Sequence, residues 1–151
     1  MNQQHTMRTP MRCLAALTLS LASACGDGGK ADVDQESVAE GREIVKGRLC
    51  ASCHGMDLSG AKAPYPNTES YPPNLTSDEA TGLGAWMDEE VISAILDSVG
   101  PDGQQLCNVM PAYGDDGMTE EQAAAVVAYL RSLPSVEHAV PESVECESVD
   151  P

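Results

Sequence analysis

The sequence contains no Phe, a single Trp and four Tyr among its 151 residues. Aromatic and large aliphatic side chains supply most of the buried area of a small domain. A chain this poor in aromatics leaves its core short of bulk, and a bound apolar group is the expected remedy. Basic residues are also scarce, with 8 Lys and Arg against 24 Asp and Glu. Two of the basic residues, Arg8 and Arg12, lie in a leading stretch without acids; from residue 25 onward six bases face 24 acids, a formal charge of −18. That balance excludes nucleic acid and an anionic membrane surface as direct partners. It suits a basic protein partner, or serves solubility alone. Long hydrophobic runs are missing too. The apolar stretch 13–24, CLAALTLSLASA, falls short of the roughly 20 residues that a membrane-spanning helix needs.

What is present begins with that stretch. A basic start, a short apolar run and the small residues Ala22-Ser23-Ala24 read as an export signal over residues 1–24. Cys25 follows immediately, and small residues before a Cys resemble the lipobox of bacterial lipoproteins. The preferred Leu stands one place early, as Leu21, with Ala22 in its usual position. Two readings stand: acylation of Cys25 as the mature N-terminus, or ordinary cleavage before it. Residues 25–36 then form a polar, Gly-rich tether, lipid-anchored in the first reading. The expected location is the periplasmic side of a bacterial membrane, or the periplasm.

Six Cys have separable roles. Cys13 leaves with the signal and Cys25 has the anchor reading. Cys50 and Cys53 form C-A-S-C-H with His54. C-x-x-C-H is the signature of c-type haem attachment: each thiol adds to one vinyl group, and the adjacent His lies beneath the iron as proximal ligand. A structural zinc site would need a second ligand pair, which the sequence lacks. A thioredoxin-type pair would sit in alternating strands and helices, whereas the surroundings read as helical. The cofactor expected is therefore one covalently bound haem c with its iron, and it supplies the missing apolar bulk. Cys107 and Cys146 remain. In an oxidising compartment they are a disulfide candidate, the alternative being two unpaired thiols.

Apolar periodicity predicts three helices. Residues 37–49 carry Val38, Ile44, Val45 and Leu49 and run into the haem motif. Gly41 in that stretch suggests close approach by another helix. Residues 88–99 place Val91, Ile92, Ile95, Leu96 and Val99 on one face behind an acidic first turn, with a stop at Gly100-Pro101-Asp102-Gly103. Residues 119–133 open on Thr119 and Gln122 at capping-box spacing, with Met118 ahead as a hydrophobic staple, and end before Pro134. Residues 55–86 are rich in Pro and Gly and are expected to wrap one haem edge as loop. The acidic tail 135–151 is expected to hold little regular structure. For the sixth iron position the candidates are Met residues and His138. Met110 is favoured because Pro111 stiffens its loop between two helices. Met56 lies too close to His54, Met87 and Met118 adjoin helix starts, and His138 reads as a lone surface residue.

Taken in order, CASCHG at 50–55, PPNLT at 72–76, TGLGAW at 81–86, GPDG at 100–103, MPAY at 110–113 and MTEEQAAAVVAYLRSL at 118–133 resemble class I c-type cytochromes over residues 37–134. The segment PNLTSDEATGLGAWMDEE is similar to cytochrome subunits of periplasmic alcohol and sugar-acid dehydrogenases, which often carry three haem domains where this chain has one. The resemblance implies an all-α cytochrome c fold, three to five helices around one covalently bound haem with long loops. Within it Gly41 and Tyr129 meet where the terminal helices cross. By the same resemblance a carbonyl at Pro73 accepts a hydrogen bond from His54, and Trp86 approaches a haem propionate. The family's aromatic residue in the first helix is missing, with Val45 nearby.

The expected function is outer-sphere transfer of single electrons between redox proteins through a His/Met-ligated haem, with no substrate transformed. The rivals are a peroxidase-like enzyme or a gas-binding sensor with an open sixth position, and a non-haem redox or metal module.

Overall fold

A computed structural model describes residues 34–143. Four helices stand among them: α1 (Gln35–Gly47), α2 (Ala51–His54), α3 (Asp88–Asp97) and α4 (Glu120–Ser132). No strand is present among the described residues, only an isolated bridge between Val99 and Gln105. The all-α expectation holds.

Helices α1, α3 and α4 begin at hydrogen-bonded caps. The Asp34 carboxylate accepts the Glu36 backbone N–H at 3.2 Å and the Ser37 hydroxyl at 3.0 Å, so α1 starts two residues before the predicted 37. It also stops earlier than predicted and does not run into the Cys pair. Leu49 takes a left-handed φ of 57°, a break in direction that lets α2 begin anew at a different angle. At the head of α3 the Met87 N–H donates to Glu90 Oε2 at 2.7 Å. Its end is set by Ser98, left-handed at φ 54°, two residues before the predicted Gly-Pro stop. Helix α4 has both halves of its capping box: Gln122 N–H to Thr119 Oγ1 at 3.3 Å and Thr119 N–H to Gln122 Oε1 at 3.1 Å.

Helix α4 is the hub of the core. Its Ala123, Val126, Val127 and Leu130 are buried, with Val45 from α1 and Val91 and Ile95 from α3. Gly41 is buried at the α1–α4 crossing. A Cβ there would run into the Ala125 carbonyl oxygen and lie 3.0 Å from the Tyr129 Cβ. With no aromatic side chain on α1, the helices close backbone to side chain, and only Gly fits.

The core is unusual in what it buries most completely. The largest fully buried side chains are Asn74 and Thr76, both polar. The apolar core itself is not filled at its centre. Leu83, Val91, Ile95, Val126 and Leu130 instead face a cavity of about 930 Å³.

The long segment between α2 and α3 is loop, as its Pro and Gly content predicts. Arg131 of α4 ties down its last turn: Nη1 donates to the Leu83 carbonyl and Nη2 to the Trp86 carbonyl, each at 2.6 Å, and Nε to Asp88 Oδ1 at 2.9 Å. The described part of the tail, 135–143, has no helix or strand, yet it is bonded along its length to the loop of residues 59–81.

Candidate cofactor site

Helix α2 is a single turn, and its length sets the chemistry. Cys50 caps it, Cys53 N–H and His54 N–H both donate to the Cys50 carbonyl, at 3.2 and 3.0 Å, and residues three and four apart share a helix face. Both thiols and the imidazole therefore reach one wall of the same cavity. Cys50 and Cys53 are half-buried, and burial pushes the Cys50 thiol up from its ordinary value.

His54 is 7 % exposed. Its Nδ1 lies 2.9 Å from the Pro73 carbonyl oxygen. A carbonyl only accepts, so Nδ1 carries the hydrogen and Nε2 keeps its lone pair, the arrangement a metal-binding imidazole needs. Burial, the larger effect, holds the imidazole below its ordinary pKa; the bond to Pro73 opposes it. Burial keeps the ring neutral, and the bond to Pro73 orients it.

The loop after α3 contributes a further part of the cavity lining. Ser98 Oγ, on a side chain 4 % exposed, donates to the Met110 carbonyl at 3.2 Å, and Met110 N–H donates to Cys107 O at 2.9 Å. Tyr113 and Gly114 N–H then bond the Ile95 and Leu96 carbonyls of α3, each at 3.0 Å. Met110 is thus held at four nearby points, and its residue lines the cavity. Met118 lines it as well, but from the crossing of α1 and α4, where it is 7 % exposed and also borders a smaller hollow with Ile44 and Gln122. Arg48 lies over the Tyr113 ring at 5.1 Å and pairs with Asp116 at 3.5 Å, joining the α1 end to the Met110 loop.

Pro73, Trp86 and Cys107 line the same cavity. Met56, 92 % exposed, and Met87, 62 % exposed, do not. Cys25 and Cys146 lie outside the described residues. His138 departs from the sequence reading. It is half-buried, with Nδ1 at 2.8 Å from the Ser59 carbonyl, because the tail folds back onto the loop. Ser98, Asn74 and Arg131 also escaped the sequence reading.

The cavity suits a haem. Its volume lies in the range of cofactor pockets, roughly 300–1,000 Å³. Its walls are mainly apolar, and they bring together two thiols, an imidazole with a free nitrogen lone pair and a thioether.

The cytochrome c family model matches residues 38–134. The chain belongs to the cytochrome c family. Its cofactor is accordingly covalently bound haem c with iron, and the domain is an electron carrier. The fructose dehydrogenase cytochrome subunit of Gluconobacter japonicus is 27 % identical over 106 residues, 66 % of this chain and 22 % of that protein. The gluconate 2-dehydrogenase cytochrome c subunit of Pantoea cypripedii is 25 % identical over 127 residues, 79 % of this chain and 28 % of that protein. Cytochrome c oxidase subunit 2 of Alkalihalophilus pseudofirmus is 32 % identical over 130 residues, 82 % of this chain and 34 % of that protein. The chain thus spans between 22 % and 34 % of the length of these curated relatives. Among the described residues no helix is long and apolar enough to cross a membrane.

Proposed function

We propose that this cytochrome carries single electrons between redox proteins on the periplasmic side of a bacterial membrane, through a haem fixed by Cys50 and Cys53 and ligated by His54 and Met110. The observation that carries the reading is the convergence on one cavity of the two thiols, a neutral imidazole oriented by Pro73 and a Met110 loop pinned to α3. The haem supplies a one-electron couple when bound. The chain's own contribution is to orient His54, to hold Met110 and to exclude water with Leu83, Val91, Ile95 and Leu130. Trp86 lines the cavity and is half-buried, so its indole is suited to a propionate. Electron donors or acceptors of the dehydrogenase or oxidase kind fit the named relatives. With −18 formal charge after residue 24, a partner with a basic docking face is favoured, and its association rate falls as salt is raised.

The rival reading has an open sixth position, as a peroxidase-like enzyme or gas sensor would. Mixing the ferrous protein with carbon monoxide separates the two. The carrier reading expects slow, incomplete binding while one-electron oxidants react fast. Rapid stoichiometric binding contradicts it.

The proposed organisation is an export signal at 1–24, a tether at 25–36 acylated on Cys25, the cytochrome domain at 37–134 and the tail at 135–151. A Cys107–Cys146 disulfide belongs to the same reading. Cys107 and Ser143 border one cavity, and the three residues from Ser143 to Cys146 reach roughly 10 Å. Intact mass of the mature protein tests both. It is expected to show haem and acyl groups, the acyl mass lost in Cys25→Ser, and a gain of two hydrogens on reduction. A soluble, unacylated chain refutes the anchor, and an unchanged mass under reductant refutes the disulfide.

A further inference from the structure

The family match ends at residue 134, but the packed structure does not. Residues 135–143 cross the loop that bears Pro73, and their contacts concentrate on the two segments around it. Those segments are already joined: Gly60 N–H donates to the His54 carbonyl at 2.8 Å, Leu75 N–H to Leu58 O at 2.8 Å, and Ala61 N–H to Pro72 O at 3.0 Å. Gly60, at φ +95°, lets Pro73 lie against it; a Cβ there would meet Val140 Cγ1, Asn74 N and Pro73 C, all within 3.0 Å.

The tail locks this arrangement from outside. Asn74, 1 % exposed and next to Pro73, donates through Nδ2 to the Val136 carbonyl at 2.8 Å and to Thr81 Oγ1 at 3.1 Å, while Oδ1 accepts Thr76 N–H at 2.9 Å. Val136 N–H donates to Thr76 Oγ1 at 3.2 Å. His138 joins both segments: its backbone N–H donates to Thr81 Oγ1 at 3.0 Å and its ring to the Ser59 carbonyl at 2.8 Å. A carbonyl only accepts, so Nδ1 bears the hydrogen, and Nε2 is left buried without a partner. Farther on, Ser143 Oγ accepts the Tyr71 N–H at 2.8 Å.

We propose that residues 135–143 are a strap that fixes the Pro73 carbonyl against the His54 imidazole, with His138 its positioning residue on one side and Asn74 on the other. A firm bond at Nδ1 strengthens the imidazole as a donor to iron and favours the ferric state. The strap thereby sets the reduction potential from a part of the chain beyond the family match, whose residues 140–143 also line the cavity. This rests on His54 being the proximal ligand, as proposed above.

The test is proton exchange at the axial imidazole Nδ1–H in the full-length ferrous protein, followed by NMR, together with the midpoint potential. His138→Leu fills the space without the donor. Exchange is expected to accelerate up to about tenfold, the scale of one lost hydrogen bond, and the potential to rise. His138→Asn, whose amide can replace Nδ1–H, is expected to restore both. Thr81→Val removes the acceptor for the His138 N–H and is expected to move both readouts in the same direction, which covers a His138→Leu chain that fails to assemble. Unchanged exchange and potential in the variants, with only a lower melting temperature, overturn the strap's role. A wild-type ferrous protein whose His54 ring C–H protons show no upfield shift from the haem fails at the earlier step, refuting His54 ligation itself.

Discussion

Replacing Met110 with Ala is expected to open the sixth iron position while leaving the haem attached. Attachment is assigned to Cys50 and Cys53, not to the Met110 loop. The loop should keep its course, because its bonds from Ser98, to Cys107 and to α3 are made by backbone and by Ser98, not by the thioether. A thioether raises the potential relative to harder ligands. Its loss should lower the midpoint by on the order of 0.1 V, a fraction of the roughly 0.8 V over which axial ligands act. Ferrous Met110→Ala should also bind carbon monoxide rapidly. Met118→Ala is the control, because Met118 borders the same cavity. Its site at the α1–α4 crossing predicts a loss of about 2–4 kcal/mol in stability with the potential nearly unchanged. Should Met118→Ala move the potential and Met110→Ala leave it alone, the ligand assignment is reversed.

Gly41→Ala carries the second large effect, and its sign is diagnostic. In an ordinary helix interior this change adds up to about 1 kcal/mol of stability. Here the new methyl group meets the Ala125 carbonyl and the Tyr129 Cβ, neither of which is the flexible end of a side chain. Helix α1 must shift away from α4, and the Cys50–His54 turn hangs from the end of α1. Overpacking of this kind costs about 1–3 kcal/mol, so net destabilisation is expected in denaturant titration of the holoprotein. A more stable Gly41→Ala protein contradicts the crossing.

How much of this was legible beforehand follows from the range of each interaction. The haem motif is five consecutive residues, and the Thr119–Gln122 box spans four, so both are readable locally. Apolar periodicity found α3 and α4 nearly to the residue. Composition foresaw a core short of bulk, and the cavity is where that shortage lies. The break at Leu49 escaped because a left-handed Leu has no local signal. Ser98 and Arg131 escaped because their partners lie 12 and 45–48 residues away. His138 reads as an isolated polar residue in an acidic tail; only the folding of that tail onto Ser59, 79 residues earlier, gives it a role. Pro73 is indicated by family resemblance alone, since nothing in a Pro-rich loop says which carbonyl will face the imidazole.

The ferric absorption spectrum of the purified mature protein, extended into the near infrared, bears most directly on two thiols, an imidazole and a thioether sharing one haem. A low-spin haem c spectrum with the weak sulfur-to-iron band, abolished in Met110→Ala, is the expected result. A colourless protein, or a high-spin ferric haem without that band, contradicts it.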